Sequence, residues 1–81
     1  MLHVTKAKYL SHHQVYLEFN DGTQGEADLA GLLDGPIFHS LRDVEYFAGF
    51  KLEGHTLAWD NGADFAPEFL HDIVHAKAST R

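Results

Sequence analysis

The sequence predicts a single small α+β domain over residues 1–81: a mostly antiparallel sheet of about five strands, short helical turns, and a C-terminal amphipathic helix. Three observations carry that prediction. Val15, Leu17 and Phe19 alternate with Tyr16 and Glu18 and run directly into Asn20-Asp21-Gly22, residues that tolerate positive φ and close hairpins. The stretch from Trp59 to Leu70 reads as a strand end, a tight polar turn and the first turns of a helix. Finally, 81 residues with 44% apolar and 22% charged content have ordinary globular composition. A chain of this length buries about 60–65% of its unfolded surface, enough for one modest core.

Taken in order, Val4 to Leu10 carries β-favouring Val, Thr and Tyr and is expected as the first strand. Residues 15–19 form the second, and Thr23 to Leu29 the third, with Ala27 and Leu29 on one side and Glu26 and Asp28 on the other. Leu29 to Asp34 fits one helical turn, stopped by Gly35-Pro36 because proline lacks an amide hydrogen. Ile37 to Leu41 is compatible with helix or extended chain. Arg42 to Phe47 suggests a second short turn, and Ala48–Glu53 with Thr56–Trp59 a second hairpin around Gly54-His55. From Ala66 to Ala76, Phe69, Leu70, Ile73 and Val74 share one helical arc, opposite Glu68, His71, Asp72 and His75. Pro67 suits the first helical turn, and Asp64 is placed to cap it. Residues 77–81 offer no apolar anchor and are expected to fray.

Twelve acidic residues against six basic ones give a net charge of −6 with histidine neutral. That balance repels nucleic-acid phosphates, and no Lys/Arg run offsets it, so direct DNA or RNA binding is disfavoured. Protonating all seven histidines would raise the charge by seven, from −6 to +1, making solubility and association pH-dependent between about 5 and 7. The absence of cysteine excludes disulfides, Cys-ligated zinc and thiol nucleophiles. With neither a signal-peptide pattern at the N-terminus nor an apolar run near the ~18 residues of a membrane span, a cytoplasmic location and no membrane contact are expected. So small a domain gains stability by self-association, and a homodimer is among the states to expect.

Candidate chemistry is sparse. His71 and His75, one helical turn apart with Glu68 and Asp72 beside them, could chelate Zn²⁺ or Ni²⁺, although the metalloprotease pattern needs Glu directly after the first histidine. Helix geometry alone explains the same spacing as a solvated face. Asp60, Asn61 and Asp64 fall in one turn but fit no EF-hand spacing. They form either a structural corner or an acidic patch for a basic partner. His12-His13 falls where a loop meets the second strand, and adjacent histidines point to opposite sides of a strand, a poor geometry for chelation. No serine has the context of a nucleophile elbow, and no glycine pattern forms a phosphate loop. Most aromatic side chains are expected in the core, and Tyr16, on the face opposite Val15 and Leu17, is the first expected to contact a partner.

Phe19-Asn20-Asp21-Gly22, Gly25-Glu26-Ala27-Asp28-Leu29, Phe38 with Leu41, Phe47, Trp59-Asp60-Asn61-Gly62-Ala63-Asp64 and Ala66-Pro67-Glu68 together resemble the small bacterial family catalogued as domain of unknown function 2442. The resemblance covers nearly the whole chain and implies an α+β fold with no assigned activity. It also implies a setting in which some members stand as the antitoxin half of two-gene modules and others carry an added helix-turn-helix domain, a module these 81 residues do not contain. No catalytic residue and no cofactor carries over. The expectation is a non-enzymatic protein-interaction module, antitoxin-like, whose partner is a small basic protein such as a cognate toxin, met through Tyr16, Asp60, Asn61 and Asp64. The alternative is a metal- or small-ligand-binding domain using Glu68, His71, Asp72 and His75.

Overall fold

The computed structural model describes residues 1–79, with side-chain surroundings described through Ala76. The expected loose tail at 77–81 therefore falls outside the described side chains. Strands β1 (Val4–Ser11), β2 (Gln14–Phe19) and β3 (Gln24–Asp28) form an antiparallel sheet in the order β1-β2-β3. On β2 the alternation read from sequence is realised: Val15, Leu17 and Phe19 are buried, while Gln14, Tyr16 and Glu18 lie on the open face. Ala27 and Leu29 are buried on the core side of the third strand and its exit, again as the alternation requires.

His12-His13 is the two-residue loop of the β1–β2 hairpin, leading into β2, with His12 at φ 53°. His13 folds inward. Its Nε2–H donates to Leu41 O (2.8 Å) and its ring packs edge-on against Phe47. The β2–β3 turn falls at Asn20-Asp21-Gly22 as expected, with Gly22 at φ 91° and the Thr23 amide donating to Asp21 Oδ1 (2.9 Å).

Two 3₁₀ segments follow, Ala30–Leu32 and Pro36–Arg42, so the ambiguous stretch at 37–41 is helical. Helix α1 (Val44–Phe47) is capped by Asp43, whose Oδ1 accepts from the Glu45 amide (3.1 Å). Strands β4 (Lys51–Glu53) and β5 (Thr56–Ala58) make the second hairpin around Gly54-His55. Both loop residues have positive φ (60° and 71°), the geometry that matches the twist of the strands.

The five strands thus divide into a three-stranded and a two-stranded sheet. The second hairpin shares no ladder with the first sheet. Instead the Val4 amide donates to His55 O (2.9 Å), laying the hairpin against the start of β1.

Helix α2 (Pro67–Ser79) packs on β3 through Leu70 and Val74, both almost fully buried. Burying side chains of this kind contributes about 1.5–3 kcal/mol each. Gly25 permits the close approach: a β-carbon there would sit 2.9 Å from Val74 Cγ1. The apolar arc expected on this helix is only partly internal. Ile73 is half-buried and Phe69 is 42% exposed, because the helix turns its Leu70–Val74 edge toward β3.

Candidate functional site

The corner between β5 and α2 is built from its own sequence. The Trp59 amide donates to Ala63 O (2.9 Å) and the Gly62 amide to Trp59 O (3.0 Å), closing a tight loop that needs φ 92° at Gly62. Asn61 serves both ends of its amide. Its Oδ1 accepts from the Ala63 amide (3.0 Å), and its Nδ2 donates to Ile37 O (3.0 Å) in the Pro36–Arg42 helix. Trp59 is buried and its Nε1–H donates to Phe47 O (2.9 Å), anchoring the corner to α1. Ala63 and Phe65 are also buried, and the Thr56 hydroxyl donates to Phe65 O.

The two acidic members behave differently from each other. Asp60 Oδ1 lies 2.8 Å from Lys51 Nζ, an exposed pair whose hydrogen bond raises the lysine pKa. Asp64 does not cap α2. Its backbone forms an isolated bridge with Ala58, its side chain is exposed, and Ala66 O accepts from the Phe69 and Leu70 amides. Beside the corner lies a cleft of about 310 Å³, lined by Glu53, Gly54 and Ala58 of the hairpin and by Trp59, Gly62, Ala63 and Asp64. Its titratable groups are the two carboxylates, which suit a cationic group.

The polar face of α2 is not assembled as a metal site. His71 Nε2–H donates to Asp21 Oδ2 (2.8 Å), with Thr23 Oγ1 3.1 Å from the same nitrogen, and the ring meets Phe19 edge-on. His71 Nε2 thus ties α2 to the β2–β3 turn. The His71 and His75 rings stack at 6.2 Å, Glu68 and Asp72 are exposed, and no three potential ligands converge among the described residues. Asp21, meanwhile, has its pKa lowered, first by the Thr23 amide and then by His71.

Tyr16 lies half-buried on the open face of the three-stranded sheet, between Lys8 and Glu26 on the neighbouring strands. Its hydroxyl donates to Glu18 Oε2 (2.7 Å), with Gln24 Oε1 2.6 Å away, and the hydrogen bond to Glu18 raises its pKa. It points away from the core into which the corner packs, so the structure gathers Asp60, Asn61 and Asp64 but not Tyr16.

One surface feature escapes sequence reading. The rings of Phe38, Phe65 and Phe69 stack in a column, at 5.0 Å and 19° for the first pair and 5.9 Å and 9° for the second. Phe69, at one end of the column, is 42% exposed, and Ile37, next to Phe38 in the Pro36–Arg42 helix, is 46% exposed. Phe65 and Phe69 are four residues apart, but Phe38 joins them from a segment 27 residues earlier, which the sequence does not reveal.

A family profile described as protein of unknown function (DUF2442) matches residues 4–76 of the chain. No curated protein and no solved structure matches it. No helix among the described residues is long and apolar enough to cross a membrane.

Proposed function

The chain belongs to the DUF2442 family of proteins of unknown function, and from that premise we propose that it is a non-enzymatic protein-interaction module for a small basic partner. One observation carries this reading. Asp64, Glu68 and Asp72 stand exposed along the corner and the first turns of α2, and no cation pairs with any of them among the described residues. The other signature residues are already used in building the corner: Trp59, Ala63 and Phe65 by burial, Asn61 and Gly62 by turn geometry. An acidic surface on a rigid corner speeds encounter with a basic protein and disfavours nucleic acid. In its finer form the module is antitoxin-like and cytoplasmic, its partner a toxin whose surface it neutralises.

Affinity capture of the chain at native expression, followed by sizing and identification of any stoichiometric partner, tests the module. Co-expression with the product of the adjacent gene tests the antitoxin form, through relief of growth arrest. Recovery of the chain alone, as monomer or homodimer, would overturn the reading.

A further inference from the structure

Building on the interaction-module reading, we propose that Ile37, Phe38 and Phe69 form a preorganised ledge that docks a basic amphipathic helix of a partner protein. The ledge joins three elements through the aromatic column: Phe38 from the Pro36–Arg42 helix, Phe65 from the corner and Phe69 from α2. Phe65 is buried at its centre, while Phe69 is 42% and Ile37 46% exposed. Phe69 is presented on a well-seated helix, since Leu70 and Val74 beside it are almost wholly inaccessible. The bond from Asn61 Nδ2 to Ile37 O (3.0 Å) fixes the far end of the ledge to the corner. A surface held in this way loses little freedom on binding.

The rim selects the occupant. Glu68 precedes Phe69, Asp72 lies one turn further on the same helix, and Asp64 precedes Phe65, all three exposed and without a cationic partner among the described residues. Apolar rings flanked by carboxylates complement a helix with aliphatic residues at i, i+3/4 and i+7 and Lys or Arg beside them. A second copy of this chain fits poorly. In an isologous contact through the ledge, Glu68 and Asp72 of each copy would face the like charges of the other.

The probe is a synthetic Leu/Lys amphipathic helical peptide, with a scrambled peptide of the same composition as control. Titrations use NMR amide shifts and fluorescence of Trp59, the single tryptophan. The expected result is saturable, salt-sensitive binding of the helical peptide over the scrambled one, with shifts centred on Ile37, Phe38 and Phe69. Ile37→Ser and Phe69→Ser should each weaken it at least about tenfold. Thermal melts confirm that each variant folds, and Ile37→Ser, at the more exposed position, decides the matter if Phe69→Ser does not. Absence of saturable binding up to about millimolar peptide, shifts centred on Tyr16 or on the cleft, or unchanged affinity in the variants would overturn the ledge. If wild type and Ile37→Ser capture the same stoichiometric basic partner, the ledge is wrong while the module stands. If neither captures one, the module itself is wrong.

Discussion

Replacing Asn61 by alanine isolates the device that holds the corner together. The side chain makes two hydrogen bonds of 3.0 Å, accepting from the amide of the buried Ala63 and donating to Ile37 O. Each neutral bond contributes about 0.5–1.5 kcal/mol net, and a buried amide left without an acceptor falls at or above the upper end. The expected loss is about 1–3 kcal/mol. In a domain of this size each kcal/mol moves Tm by about 4–8 °C, so Asn61→Ala should melt at least about 4 °C below wild type. Asn61→Asp keeps an acceptor for Ala63 but loses the donor to Ile37, and its Tm should fall between the two. Circular dichroism melts measure the shift, and Trp59 fluorescence reports whether the corner loosens first. An Asn61→Ala protein melting within about 2 °C of wild type would refute the assignment of this residue to the corner.

Asp64→Ala, by contrast, should change stability by no more than about 0.5 kcal/mol, because the side chain is exposed and caps nothing; a larger loss in a denaturant titration would restore the capping role. Trp59→Phe leaves Phe47 O without its buried donor, and chemical denaturation should show a loss of about 1–3 kcal/mol. Gly25→Val forces α2 away from β3, since a β-carbon there already lies 2.9 Å from Val74 Cγ1, and a cost of about 1–3 kcal/mol or more is expected. Asp21 has a folded pKa below its unfolded value, chiefly through the Thr23 amide, so its stabilising contribution is present above about pH 4 and disappears as pH falls through the folded pKa. The Tm gap between wild type and Asp21→Asn should therefore close on acidification below pH 4, and a gap constant with pH would contradict the linkage.

Local chemistry made much of the fold legible. The alternation on β2 and the turn residues at 20–22 and 54–55 specify their elements within a few positions, because strand period and positive φ are properties of short segments. The division into two sheets was not legible, since it depends on Val4 meeting His55 across the chain. Helical periodicity placed Phe69 with Leu70 and Val74 but could not say which edge of the arc β3 would take. In the candidate site, proximity within a turn was readable, and hence the grouping of Asp60, Asn61 and Asp64. Their roles were not, because Lys51 engages Asp60 and Ile37 engages Asn61 from other elements. The spacing of His71 and His75 is readable from the sequence, whereas the bond from His71 Nε2 to Asp21 on the far β-turn is not.

The most direct test of the interaction-module reading is affinity capture of wild type and the Ile37→Ser variant side by side at native expression, with light scattering and a salt series on whatever is recovered. A stoichiometric basic protein bound to wild type, released by salt and lost from the variant, is the predicted result. A wild-type chain recovered alone would contradict it.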